Sequence, residues 1–173
     1  MAAFNKCNNI LTRRFILKPI TLSDVNINYV EWLADNKSNE YIVNKSSISD
    51  LRNYVEERIN REDILFLGIF ERNSGRHIGN IKYEPISIKL GYAIMGILIG
   101  NADFRGCGVA VEVLLESANW LKMNYGIKEI ILGVSRHHEY AIRAYKKVGF
   151  IEMTSKHLLN FQQENITMVW KLF

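Results

Sequence analysis

The sequence predicts one mixed α/β domain, with antiparallel strands first and a crossover unit after them. Three observations carry this. The apolar period changes along the chain between helical and strand spacing, in the order β-α-α-β-β-β-α-β-α-β-β. The length, 173 residues, suits one domain that can bury a core without metal or disulfide staples. Hydrophobic residues at 48%, charged residues at 23% and only two prolines, with no repeats or composition shifts, exclude disordered and low-complexity classes. The domain is expected to span residues 1–173, with residues 1–12 flexible.

Residues 13–20 read as the first strand, with Phe15, Leu17 and Pro19 on one parity. Ser23 and Asp24 then offer an N-cap to an amphipathic helix through Leu33. Residues 34–47 are polar and read as a loop, and Ser49 is the next cap. Leu51, Tyr54, Val55 and Ile59 follow it at helical spacing. The period then becomes that of strands. Residues 64–71 and 77–84 form a hairpin about Asn73-Ser74-Gly75, ended by Pro85. Residues 92–99 form a third strand, whose continuous apolar character predicts cover on both faces.

After a loop at 100–108, a helix is expected from Val109 to Tyr125. Its inner stripe is Ala110, Val113, Leu114, Ser117, Ala118, Leu121 and Tyr125, and Gly126 is its C-cap. Residues 128–134 are a further buried strand and 138–148 a helix closed by Gly149. Residues 150–161 and 166–172 read as a closing hairpin, which could pair with a second copy.

Charge and cysteines narrow the class. Lys and Arg number 22 against 18 Asp and Glu, a net +4 that favours an anionic partner. No dense basic run exists and the aromatics lie on core stripes, so nucleic acid is not expected. Cys7 and Cys107 are far apart and suggest neither disulfide nor metal cluster, and His137-His138 lacks accompanying carboxylate ligands. The longest charge-free apolar run, about residues 91–100, is half of what a membrane span needs. The expectation is a protein of a reducing cytoplasm, without metal and without membrane contact.

The most informative local feature is Phe104-Arg105-Gly106-Cys107-Gly108-Val109-Ala110, between a strand and a long helix. Two glycines around one residue permit a tight turn and keep side chains out of the approach path. The helix start aims unpaired N–H groups at one spot, with the positive end of the dipole behind them. Such a spot suits a phosphate or pyrophosphate. No Gly-Lys-Ser/Thr follows, which excludes the nucleoside-triphosphate loop. Val111 replaces the third glycine of the dinucleotide fingerprint, and residues 130–134 carry no acid for a ribose. On the loop alone, a glycine turn without a ligand is an equal alternative.

Arg105-x-x-Gly108-x-Ala110, followed by Ala141-Ile142-x-x-Tyr145-x-Lys147-x-Gly149-Phe150, resembles the GNAT superfamily of acetyl-CoA-dependent N-acetyltransferases. The resemblance spans roughly residues 78–150. Upstream, Tyr29-x-x-Trp32-Leu33-x-Asp35 and Asn39-x-Tyr41 look like members that acetylate protein N-termini or polysaccharide amino sugars.

The resemblance implies a single-domain GNAT fold, a central mixed sheet flanked by helices, with acetyl-CoA between two splayed parallel strands, here 93–99 and 130–134. The backbone of Ile97, Leu98 and Ile99 would pair with the pantetheine arm, and one of its N–H groups would be the oxyanion donor. Arg105, Gly106, Cys107, Gly108, Val109 and Ala110 would hold the pyrophosphate. His138, Ala141 and Arg143 would add coenzyme contacts, with Arg105, Arg136, Arg143 and Lys146 as a basic rim. Tyr145 would be the general acid that protonates the leaving thiolate. Trp32, Asn39, Tyr41, Asn80 and Tyr83 would wall the acceptor pocket. Ordinary packing is the competing reading of Tyr145 and Trp32, and solvent exposure that of Asn39.

Two departures from the family pattern matter. Residues 93–99 carry no carboxylate, and Met95 stands where many relatives have a glutamate base. His138 stands where asparagine is common before Ala-Ile. Without that base, either another residue serves or the acceptor amine has a low pKa; an α-amine at about 7.7–8.0 is partly neutral at pH 7 and a lysine near ~10.4 is not. The implied activity is acetyl transfer to a primary amine, either an amino sugar (including a nucleotide-linked one) or a protein N-terminus. The rival is a non-catalytic acyl-CoA-binding sensor domain.

Overall fold

The computed structural model describes residue 4 and residues 7–34, 47–158 and 164–173. Among these, eight strands share one sheet: β1 (Ile10–Leu11), β2 (Phe15–Pro19), β3 (Leu65–Glu71), β4 (His77–Ser87), β5 (Tyr92–Ile99), β6 (Glu129–Ser135), β7 (Ile151–Glu152) and β8 (Asn165–Lys171). Their spatial order is β1-β2-β3-β4-β5-β6-β8-β7. Neighbours are antiparallel except β5 and β6, the one parallel pair. The helices are α1 (Ile27–Ala34), α2 (Ile48–Ile59), α3 (Val109–Tyr125) and α4 (Glu139–Val148).

Strand alternation sends side chains to two cores. On one face Leu65, Leu67, Ile69, Ile81, Ala93 and Met95 pack with Val113, Leu114 and Leu121 of α3. On the other, Ile64 and Phe66 pack with Tyr29 and Leu33 of α1 and Leu51 and Val55 of α2. Leu51 and Val55 are fully buried, so together they contribute about 3–6 kcal/mol towards docking α2. The ends of α3 are set by its glycines: Gly108 and Gly126 adopt left-handed conformations, at φ +75° and +66°. Val113, Leu114, Ser117, Ala118 and Leu121 of the expected stripe are buried, together with Val109, whereas Ala110 and Tyr125 are half-buried.

Several local expectations are corrected. The cap of α2 is Ser47, whose Oγ accepts from the Asp50 N–H at 3.1 Å, and Ser49 lies inside the helix. Ser23 and Asp24 close a 3₁₀ turn capped by Thr21, and α1 begins only at Ile27. Pro85 does not end β4, which runs on to Ser87. A register shift between Tyr83 and Ile86 takes Glu84 and Pro85 out of the ladder, so the missing proline N–H costs no strand bond. Among the described residues, the first strand of the closing hairpin, expected over 150–161, is limited to Ile151–Glu152. Within the segment expected to be loose, of which residue 4 and residues 7–12 are described, Ile10–Leu11 pair on the sheet edge. Phe4 is 2% exposed with its ring 4.6 Å from that of Tyr125.

Strand β5 is also not covered on both faces. Ala93 and Met95 are buried, Gly96 is exposed, and Ile97, Leu98 and Ile99 are half-buried. The apolar run reads as a core strand, yet its second half borders open space.

Candidate active site

The exposed half of β5 begins where its parallel partner leaves it. β5 and β6 pair at Tyr92 with Glu129, Ala93 with Ile130 and Ile94 with Ile131, and no further. Beyond that point β5 stays bound to β4, through Met95 to Ile99, while β6 stays bound to β8 through Ser135. The main-chain groups of residues 95–99 that face β6 therefore have no ladder partner among the described residues. A wedge opens with backbone donors and acceptors on its walls, and such groups demand a partner when covered. A Cβ added at Gly96 would meet nothing within 4 Å.

The strand leads directly into the glycine loop. A 3₁₀ turn over Ala102–Phe104, capped by Asn101, ends at Arg105. Arg105 folds back over the strand end, its Nε donating to the Ile99 carbonyl at 3.0 Å and its Nη2 to the Gly100 carbonyl at 2.8 Å. Gly106 and Gly108 then take φ values of +74° and +75°, where any other residue pays about 1–2 kcal/mol. A Cβ at Gly106 would touch nothing within 4 Å, and one at Gly108 would meet only the Arg14 guanidinium at 3.9 Å. Gly108 is the N-cap of α3 and has no side chain to cap it. The first-turn N–H groups of Val109, Ala110 and Val111 thus have no intrahelical acceptor. Cys107 is exposed, with Sγ 3.6 Å from the Asp103 and Arg105 carbonyls, whereas Val109 is buried and Ala110 half-buried.

Across the wedge, α4 carries the remaining expected residues. His138 is its N-cap, with no side-chain cap bond. Ala141 and Tyr145 lie partly buried against the core, and the Tyr145 ring is 5.7 Å from that of Phe150. Burial pushes the Tyr145 phenol up to about 12. Arg143 is exposed over the Tyr140 ring at 4.8 Å, and Arg136 pairs with Glu152 at 3.5 Å. The rim arginines therefore already have partners within the chain.

The GNAT acetyltransferase domain family matches residues 14–151, most of the chain. The chain belongs to the GNAT acetyltransferase family. It is accordingly an acyltransferase that uses acetyl-CoA. No curated protein matches it. Solved structures of the same fold include a Bacillus anthracis GNAT acetyltransferase, 15% identical at TM-score 0.78, with 95% of this chain and 98% of that one covered. A Vibrio cholerae protein proposed to be a ribosomal-protein-serine acetyltransferase is 15% identical at TM-score 0.77, covering 99% of both. The Vibrio cholerae spermidine N-acetyltransferase, solved with CoA and spermine, is 17% identical at TM-score 0.76, covering 91% and 95%.

For a GNAT enzyme, the geometry suits the coenzyme. The wedge offers backbone that has no ladder partner among the described residues, and the loop offers helix N–H groups with no side chain in front of them. The residues expected on the acceptor side are less uniformly placed. Trp32 lies against Gly100, with its ring 5.7 Å from that of Tyr29. Tyr83 does not line a pocket: it is 0% exposed on the α3 side, bonded to Ser117 Oγ at 2.7 Å. Its parity places it with Ile81 and Met95 in the core. Met95, for the same reason, faces α3 and does not occupy a base position open to the wedge. Asn39 and Tyr41 lie outside the described residues.

Asn80 is on the α1 side but only 3% exposed. Its Oδ1 and the Gly79 carbonyl both lie within 3.0 Å of His77 Nε2, so that nitrogen carries the proton. Asn80 Nδ2 and His77 Nδ1 are buried without a partner among the described residues. Burial holds the imidazole below its ordinary pKa, against the Asn80 hydrogen bond that raises it. A second cluster on this face joins Glu84 to Lys82, to Arg58 at 3.1 Å and to Arg61 at 3.1 Å. Lys82 Nζ also donates to Tyr54 Oη at 2.6 Å.

Sequence reasoning missed the group that braces the loop. Glu112, in the first turn of α3, accepts from Thr12 Oγ1 at 2.7 Å, from Arg14 N–H at 2.6 Å and from Arg14 Nε at 2.7 Å. Burial pushes its carboxyl up, but these hydrogen bonds outweigh that and hold it below the usual range. The partners are about a hundred residues apart, so no local spacing could have paired them. An acid in a first helical turn was the only available signal.

Proposed function

We propose that the protein transfers acetyl from acetyl-CoA to a primary amine by direct attack, and that the acceptor is an amino sugar or a protein N-terminus. One observation carries the reading: the parallel strands separate after Ile94 and Ile131, and the strand on one side runs straight into a left-handed glycine loop at a helix start. When bound, the coenzyme supplies an activated acyl thioester. The backbone of Ile97, Leu98 and Ile99 orients its arm, and an N–H there donates to the carbonyl oxygen as charge gathers on it, an effect of about 10²–10³ in rate. The N–H groups of Gly106, Gly108, Val109 and Ala110 surround the pyrophosphate, that of Cys107 already donating to the Phe104 carbonyl at 3.4 Å, with His138, Ala141 and Arg143 on the opposite wall.

Tyr145 holds the proton for the departing sulfur. Its burial favours the neutral phenol, so it remains a donor throughout the neutral range. Residues 93–99 of β5 carry no ionisable side chain, so either the base comes from another element or the acceptor nitrogen arrives already neutral. The second condition favours an α-amine or a sugar amine over a lysine side chain. Trp32 and Asn80 stand on the side from which such an amine would approach.

A thiol-release assay with acetyl-CoA tests this. Amino sugars, peptides with free N-termini and spermidine are offered in parallel. Acceleration by a sugar or an N-terminus is the expected result. Coenzyme binding with no acceptor-dependent release would reduce the protein to an acyl-CoA-binding domain, and acceleration by spermidine alone would reassign the acceptor.

A further inference from the structure

The N-terminal hairpin reaches the glycine loop through Arg14, which stands just before β2. Its main-chain N–H and its Nε both donate to the Glu112 carboxylate, and its Nη2 donates to the Cys107 carbonyl at 3.0 Å. Thr12 completes the set of donors to Glu112. These bonds fix the guanidinium in one orientation, so the rotamer entropy of a long side chain is lost in folding and need not be lost again on binding. Nη1 takes part in none of them, and the side chain is 40% exposed. Nη2 also lies 3.9 Å from the position of a Cβ on Gly108. A half-free guanidinium is therefore held against the edge of the loop.

The neighbouring carboxylate makes this arrangement informative. Glu112 is 18% exposed and sits in the first turn of the helix whose N-terminus would meet a phosphate. Alone, it would repel that phosphate across a few ångströms. Paired with Arg14, it turns from a repulsive charge into a mount for an attractive one. Arg105, the arginine within the loop, is turned away onto the Ile99 and Gly100 carbonyls.

We infer that Arg14 is a phosphate ligand of the coenzyme, its guanidinium preset by Glu112 beside the 106–108 loop. The inference rests on the reading of that loop as the coenzyme's phosphate site. Calorimetry with CoA on the wild type tests the loop reading, since no heat there would remove it. Calorimetry on Arg14→Ala tests the inference, with thermal unfolding run alongside to verify folding. The expected result is CoA binding weaker by about ten- to a hundredfold, as for a lost charge-assisted bond.

S-acetylpantetheine, which has no phosphate, is the control. Titrated at millimolar concentration and followed by the amide shifts of residues 97–99, it should bind both proteins alike. 3′-Dephospho-CoA divides the two phosphate sources: a persisting defect assigns Arg14 to the pyrophosphate, and a vanished one to the 3′-phosphate. Unchanged CoA affinity, or equal weakening for CoA and S-acetylpantetheine, would overturn the proposal. Should the alanine variant fail to fold, Arg14→Lys keeps the charge but not the fork. It should weaken CoA severalfold and leave S-acetylpantetheine unaffected, and any other pattern counts against Arg14.

Discussion

The two sides of β5 are built by different means. Towards β6 and α3, the candidate coenzyme site is mostly backbone: unpaired strand groups, two left-handed glycines and an uncapped helix start. Towards α1 and α2, the proposed acceptor side is made of side chains already committed to one another, such as His77 with Asn80 and Glu84 with Lys82, Arg58 and Arg61. Backbone geometry tolerates many side chains as long as the glycines and the helix remain. A side-chain pocket is defined only by its particular neighbours. On the proposed reading, a shared coenzyme and a variable acceptor coexist on one scaffold, with the chemistry on one flank and selectivity on the other.

The largest test of this contrast is Tyr145→Phe. Turnover should fall by about a hundredfold or more while CoA affinity and thermal stability stay unchanged. Unchanged turnover would remove the phenol from the reaction and leave the coenzyme side purely a backbone device. Next comes Gly79→Ala, at the seam between the two sides. A methyl there would overlap the Leu98 carbonyl oxygen, which is main chain and cannot swing away. A cost of about 3 kcal/mol is expected, a fall in Tm of about 6–12 °C, together with weaker CoA binding. Intact CoA binding would show that the wedge does not depend on the position of Leu98.

Tyr83→Phe is the counterpart of the Tyr145 change. It removes the bond to Ser117, whose hydroxyl still donates to the Val113 carbonyl at 2.7 Å. Stability should drop by about 1 kcal/mol in chemical denaturation, with kcat and both KM values unchanged. An altered acceptor KM would return Tyr83 to the acceptor wall.

The smallest effect is in the pH dependence of Glu112. Its folded pKa lies below the ordinary 4.5, so its stabilising contribution is complete above about that pH and is lost as the pH falls through the lowered value. Wild type should be more stable than Glu112→Gln at pH 7, and the difference should shrink below pH 4.5. A difference independent of pH would assign the effect to packing and not to charge.

What the sequence disclosed follows the same division. Helix α3 was legible because its stripe, its glycine boundaries and its loop are all local. The succession of helices and strands along the chain was legible for the same reason, apart from the short edge strand Ile10–Leu11. The wedge could not be read from residues 92–99, because an apolar run looks identical whether its second half is covered or not. Tyr83 was misplaced because strand parity relative to the helices requires knowing which face each helix covers. Pro85 looked like a terminator, since nothing local announces that a register shift will absorb it. The Thr12, Arg14 and Glu112 cluster is a tertiary meeting with no trace in spacing.

The contact of Trp32 with Gly100 ties the two flanks together. A single methyl at position 100 would overlap the indole, and the carbonyl of the same residue anchors Arg105 at the mouth of the loop. Redesigning selectivity on the α1 side thus has one forbidden coordinate: bulk cannot be added beneath the indole without tugging the tether of the opposite flank. Libraries that vary Trp32 while keeping Gly100 invariant would test whether the proposed acceptor side can change while the proposed coenzyme side stays undisturbed.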